Sequence, residues 1–268
     1  MRRFPHLIPL TIIAIVIGAI TFGVSFLIDW LPVQAAEQAE RSDTMLWFLI
    51  ICSNVIFTGV ATVLVYEAWR FRAKPGDDGD GDPIHGHTKL EVVWTVIPIV
   101  FLMGTAVWAY MITTDNEALA ADRTEVEVTA QQFEWQYTYR DATVPAASFS
   151  TGDLVVPIGG QVRLKMRSKD VIHSFYVPVF RLKLDVVPGI TTYMVFNPNR
   201  VGTYKVICTE LCGVGHGVMR SRVIVKTQAD YDAWRAKAVA QVKGAGSTSA
   251  PTDATPSSGA PATTTTTP

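Results

Sequence analysis

The residue types best suited to chemistry cluster late in the chain, in Cys208-Thr-Glu-Leu-Cys212-Gly-Val-Gly-His216-Gly-Val-Met219. Two thiols, an imidazole and a thioether fall within 12 residues, and Gly213, Gly215 and Gly217 free the backbone to wrap tightly. Cys, His and Met together form a soft donor set that suits copper. A mononuclear blue-copper site takes two His, one Cys and a weak axial Met. Here a second Cys, four residues on, lets two thiolates bridge two metal ions. Such a binuclear centre needs one terminal His per metal, and the loop supplies only His216. The other candidate is His173, in Asp170-Val-Ile-His-Ser-Phe-Tyr-Val-Pro178, 35 residues before Cys208 at the end of an expected strand. Other readings exist for each residue alone. Cys208 and Cys212 could form a disulfide in an oxidising compartment, His173 could be a buried structural histidine, and Met219 could be core. Taken jointly, the set points to metal.

The elements that must position these donors begin with three uncharged runs, Leu7–Ile28, Thr44–Tyr66 and Val92–Thr114. Each exceeds the ~20 residues a helix needs to cross the hydrocarbon core. They explain why only 18% of the chain is charged, below the ~25% of soluble domains. A fully soluble enzyme is excluded, and so is a carrier with nothing outside the membrane. A net charge of −1 also argues against a nucleic-acid partner. The first run follows Met1-Arg2-Arg3 and reads either as a retained helix or as a signal segment with a cleavage site at Val33-Gln34-Ala35. It is longer than the ~7–15 residues of a signal core, which favours retention. Basic residues in short loops mark the cytoplasmic side. The Asp29–Asp43 loop has only Arg41, whereas Glu67–Glu91 has Arg70, Arg72, Lys74 and Lys89. The copper loop is then outside. His6, His85 and His87 are inside, which leaves His173 and His216 to meet the cysteines. Cys52, in mid-helix, reads as a small apolar residue.

Thr124 to about Lys226 reads as all-β. Glu125–Thr129, Gln161–Met166 and Ser221–Val225 alternate apolar and polar, and Gly and Pro clusters separate the runs. Short strands over such a length suggest a sandwich or barrel. Asp230–Val242 reads as a short helix with Tyr231 and Trp234 spaced for docking. Gly244–Pro268 is a low-complexity tail with one charge, Asp253, and too little apolar content to fold. The domains are then 1–43 (first helix and outer loop), 44–121 (helix hairpin), 122–242 (β-domain with its helix) and 243–268 (tail). Phe133, Trp135, Tyr137 and Tyr139 fall at period two, on one strand face. From Asp122 to Lys226 there are 13 Lys and Arg against 9 Asp and Glu, a net of +4 that the overall −1 conceals.

From Thr44 to Trp234 the chain resembles subunit II of the haem–copper cytochrome c oxidases. The resemblance is carried by C-x-E-x-C-x-x-x-H-x-x-M, by His173-Ser-Phe and by Lys183-Leu-Asp-Val-Val-Pro-Gly189. It implies a two-helix membrane hairpin, here with an extra N-terminal helix, and a cupredoxin-like Greek-key barrel holding the two copper ions of a copper A centre. By match to the motif, Cys208 and Cys212 bridge the coppers and His173 and His216 are terminal. Met219 is a weak ligand, and Glu210 ligates through its carbonyl. The Glu210 carboxylate would reach a magnesium ion shared with subunit I. The resemblance further implies a multi-pass cell-membrane protein with its copper domain on the outer face. Subunits I and III and a cytochrome c-type donor would be its partners, and oxygen reduction and proton pumping would lie in subunit I. Glu91 matches the mouth of a proton-uptake channel; a solvated carboxylate at a helix start fits it equally well. Two departures concern the donor. Phe133 stands where relatives commonly carry a Trp that receives electrons, which leaves Phe133, Trp135 or a point nearer Met219 for that role. Asp170 and Asp185 match the donor-docking surface, yet the domain is net basic, so a neutral or acidic donor is expected. A copper-delivery membrane protein with a C-x-x-x-C site is the main alternative. A quinol-oxidase subunit would lack the copper ligands, and nitrous oxide reductase lacks the membrane hairpin.

Overall fold

The computed structural model describes residues 6–73, 75–76, 79, 83, 85–140 and 148–245. Arg2, Arg3, Lys74 and nearly all of the low-complexity tail lie outside them. Three long helices come first: α1 (Leu7–Leu27), α2 (Glu37–Arg70) and α3 (Thr88–Glu117). All three are long and apolar enough to cross a membrane. The two later helices outrun the uncharged segments at both ends because helix propagation continues through polar residues once nucleated. At the start of α3, the His87 ring accepts from the Leu90 amide (3.2 Å), while the Glu91 carboxylate accepts from the His87 amide (3.0 Å). This reciprocal capping fixes the first turn of the helix.

Ten strands follow: β1 (Arg123–Gln131), β2 (Glu134–Tyr139), β3 (Phe149–Thr151), β4 (Leu154–Pro157), β5 (Gln161–Ser168), β6 (His173–Val177), β7 (Leu182–Val186), β8 (Thr192–Phe196), β9 (Gly202–Cys208) and β10 (Arg220–Lys226). The expected barrel takes the form of two five-stranded sheets, ordered β3-β2-β1-β5-β8 and β4-β10-β9-β6-β7. β1 with β5 and β4 with β10 pair in parallel, and the other pairs are antiparallel. Alternation in β1 and β5 turns Val126, Val128, Leu164 and Met166 inward, against Phe175 and Val177 of β6 and Val223 of β10. Each fully buried side chain of this kind contributes about 1.5–3 kcal/mol. Tyr139 ties the sheets together, donating to the Val155 carbonyl (2.8 Å) and accepting from the Val155 amide (2.7 Å). Helix α4 (Gln228–Ala245) closes one end as its spacing predicted. Tyr231 is buried, and Trp234 packs edge-on against Tyr139 with ring centroids 5.1 Å apart.

A strap between α1 and α2 fastens the membrane helices to the sandwich. The Ala35 amide donates to the Val179 carbonyl (3.1 Å), the Asn199 amide to the Ala35 carbonyl (3.2 Å) and the Glu37 amide to the Asn197 carbonyl (3.1 Å). Asp43, on the first turns of α2, receives Nε and Nη2 of Arg181 at 2.8 and 3.0 Å, and both side chains are at most 10% exposed. Arg181 holds a left-handed φ of 57°, unfavourable for a residue with a Cβ. The fork geometry of a paired guanidinium keeps it there.

Candidate metal centre

β9 ends on Cys208 and β10 begins at Arg220, so the intervening loop caps the end of the sandwich where β6 starts with His173. Register brings them together: Phe175 pairs with Cys208, and the Thr209 amide donates to the Ser174 carbonyl at 3.1 Å. The loop closes on itself through the Cys208 amide and the Met219 carbonyl (3.2 Å) and through a turn from His216 to Gly213 (3.1 Å). These bonds place His173, at the start of one strand, against a thiol at the end of its neighbour.

The donors converge. Cys208 and Cys212 are free thiols with sulfurs 3.9 Å apart. Nδ1 of His173 lies 3.9 Å from the Cys208 sulfur, and the Glu210 carbonyl lies 3.4 Å from the same atom. On the other side, Nδ1 of His216 is 3.6 Å and the Met219 thioether 3.8 Å from the Cys212 sulfur. His173, Cys208 and Cys212 form one tight cluster of ligand atoms within 4.8 Å of one another. His216 is not part of that cluster and lies against the Cys212 sulfur. Each sulfur thus has its own imidazole and its own third donor. This set fits soft metal ions shared between two thiolates. A single tetrahedral ion would leave two of the six donors over.

The surroundings hold the donors in place. His173 is fully buried, and its Nε2 meets the Asp170 carboxylate at 2.8 Å, which orients Nδ1 toward the sulfurs. Burial alone would raise the Asp170 pKa. Hydrogen bonds from His173 and from the amides of Gln132 and Val171 outweigh it and hold the carboxyl at about 2. Burial and the Cys208 sulfur push the Cys212 thiol up to about 11, so without metal it keeps its proton at neutral pH. Gln132 reaches across to the Cys212 carbonyl (2.6 Å) from its side-chain amide. Trp135 lies under His173, ring centroids 6.0 Å apart, and is buried.

Phe133 departs from the period-two expectation. β2 begins at Glu134, so Phe133 sits in the turn before it, where the chain has not yet taken up the pleat that faces Trp135, Tyr137 and Tyr139 inward. Its ring lies flat on the loop backbone: a Cβ on Gly215 would come within 2.5 Å of it, and one on Gly213 within 3.2 Å. Those glycines are therefore required for close approach. Asp185 is exposed on β7, whereas Asp170 is engaged with His173 and Gln132. The skin of the loop is apolar: Leu211, Val214 and Val218 are 78, 104 and 77% exposed. Sequence reasoning missed three supports of the site: the Gln132 bridge, the orienting role of Asp170 and the glycine bed under Phe133. Of these, only Asp170 was signalled, by its spacing of three residues before His173.

Residues 124–227 match the family model described as cytochrome c oxidase subunit II, periplasmic domain, and residues 28–112 match that of its transmembrane domain. The chain belongs to the cytochrome c oxidase subunit II family. It is 31% identical over 288 residues to cytochrome c oxidase subunit 2 of Thermostichus vulcanus, covering 88% of this chain and 86% of that protein. The Synechocystis subunit 2 is likewise 31% identical, over 85% of this chain and 82% of its own length. The solved periplasmic domain of subunit II (CoxB) of Bradyrhizobium japonicum aligns at 24% identity with a TM-score of 0.42, covering 47% of this chain and 99% of that one. As a subunit II, the chain is a component of an oxidoreductase complex: a membrane protein with a soluble C-terminal domain. The copper-delivery alternative is not favoured.

Proposed function

We propose that this subunit accepts electrons from a cytochrome c-type donor at a binuclear copper A centre and passes them to the haem–copper subunit I. The observation that carries this reading is the convergence of four donors on two sulfurs 3.9 Å apart, six potential ligands in all. His173, Cys208, the Glu210 carbonyl, Cys212, His216 and Met219 would hold two copper ions. When bound, the copper pair supplies one-electron transfer with little rearrangement, because the electron is shared over both ions. The protein's part is to keep the donors still: strand ends fix His173 and Cys208, the loop's own amide bonds fix the rest, and Asp170 sets the His173 tautomer. The exposed Glu210 carboxylate is free to reach a magnesium ion shared with subunit I.

The basic-residue count of the loops supports placing the domain on the outer, periplasmic face of the cell membrane, with subunits I and III as membrane neighbours. Glu91, at the other membrane surface, caps α3 and stands as the residue for proton uptake into subunit I. Phe133, on the metal loop, is better placed to receive electrons than the buried Trp135. The donor docks on an apolar face of a net basic domain, since Leu211, Val214 and Val218 are exposed and Asp170 is already engaged. A neutral or acidic donor suits it.

Copper loading tests the centre: two coppers per chain with a mixed-valence near-infrared band are expected, and a single tightly held Cu(I) would refute it. Oxidase assays against acidic and basic cytochromes over a salt series test the donor. Tightest binding of a basic cytochrome at low salt counts against an acidic or neutral one.

A further inference from the structure

The family's transmembrane model begins at residue 28 and leaves α1 outside it. We infer that α1 is nevertheless a permanent third membrane helix of the mature protein, and that the Ala35–Ala36 bond stays intact. The inference does not rest on the copper reading.

The first support is a seam that runs the length of α1 and α2. From the inner to the outer end, the His6 ring hydrogen-bonds the Tyr66 hydroxyl, Gly18 lies against Thr58 and the Thr21 hydroxyl meets the Thr58 hydroxyl at 3.3 Å. The Asn54 amide then donates to the Ser25 hydroxyl at 2.9 Å, and Phe26 stacks on Trp47 with centroids 5.3 Å apart. Small residues permitting close approach, joined by side-chain hydrogen bonds, are how helices associate in lipid. Asn54, Thr62 and Tyr66 are all less than 10% exposed. Removing α1 would turn Asn54 and Thr58 toward hydrocarbon and take away their Ser25 and Thr21 partners, leaving Asn54 only the Ile50 carbonyl of its own helix, and an under-satisfied polar group is costly there. The α2–α3 pair, which the family model does cover, meets chiefly through Phe48 against Phe101 and Trp108, with one hydrogen bond, from Arg41 to Asn116, at its outer end. The helix that looks dispensable is the better packed one.

The second support is the cleavage site itself. Ala35 and Ala36 are fully buried. Ala35 bonds to Val179 and Asn199, and Ala36 bridges to Pro198. Cleavage between them would place a charged α-ammonium at a position with no exposure to water, which is unfavourable.

Intact mass and N-terminal sequencing of the subunit in the assembled oxidase need no variant, and α1 is expected still attached. A mature N-terminus at Ala36 overturns the proposal. The seam is read separately in native membranes with Gly18→Cys and Thr58→Cys on a Cys52→Ser background. A Cβ on Gly18 would lie 3.5 Å from the Thr58 methyl, so an oxidant should link the pair in most chains. Ile15→Cys with Thr58→Cys should not link, because Ile15 is 64% exposed. An attached α1 without the first link, or with both links equally, overturns the seam and with it the reason for retention.

Discussion

The two ends of the β-sandwich are built on opposite plans. At the α4 end, Tyr139, Phe149, Tyr231 and Trp234 close the core with ring on ring, the centroids 5.1–5.7 Å apart. At the loop end the interior holds polar and sulfur donors, and the apolar residues Leu211, Val214 and Val218 are turned out to solvent. One end spends its hydrophobic residues on stability. The other gives up that contribution to hold a fixed donor set under an apolar face. The contrast predicts that changes at the loop end alter metal binding far more than folding, and that changes at the α4 end do the reverse.

The largest expected effect is Cys212→Ser, which should abolish stoichiometric metal binding. Although the thiol is buried at the loop end of the core, serine nearly matches its volume, so thermal unfolding of the metal-free domain should shift little. Copper titration beside calorimetry checks this, and a collapsed fold would break the contrast. Asp170→Asn comes next. Losing the carboxylate that orients His173 should weaken metal binding about 10–100-fold, read by competition with a chelator. Trp234→Ala should cost about 2–4 kcal/mol of stability in denaturant unfolding, with metal stoichiometry unchanged. pH sharpens the comparison further. The Cys212 thiol, raised to about 11, must lose its proton to bind metal, so apparent affinity should climb as pH rises from 6 to 9 with proton release on loading; a flat profile would count against it. The smallest effect is expected on the outer sheet surface at Glu127. The Arg140 hydrogen bond, with Lys165, lowers its carboxyl pKa against the opposing effect of burial. Its stabilisation is present above the ordinary carboxylate range and is lost as pH falls through the lowered value. Glu127→Gln should remove under ~1 kcal/mol near neutral pH and progressively less as pH falls through the lowered value.

The loop end was legible in the sequence because its chemistry is written as residue types at fixed spacing. Cys208, Cys212, His216 and Met219 need only a tight loop to meet, and His173 needs only to begin a strand beside the one that ends on Cys208. The supports were harder to read. Gln132 and Asp170 act through a turn whose path is set by the meeting of β1, β2 and β5, and no local pattern encodes that. Phe133 looked like a strand residue because its parity matched Trp135. What decides its place is the glycine surface some 80 residues on. The strap was hidden for a different reason. Ala35 and Ala36 carry no chemistry, and their role is wholly in backbone bonds to residues far along the chain. The α2–α3 hairpin was inferred from three equal apolar runs, and nothing in their hydropathy showed that α1 rather than α3 packs closely on α2.

Helix α2 spans 34 residues, about 51 Å at 1.5 Å per residue, against a hydrocarbon core of about 30 Å. Its outer turns therefore stand clear of the lipid and are clamped to the sandwich by Asp43 and Arg181. That makes the helix a strut of set height. The sandwich cannot ride up, sink or swing against the bilayer without breaking a shielded ion pair. Electron tunnelling weakens steeply with distance, so on the proposed route this pair of charges would set how far an electron travels into a membrane partner.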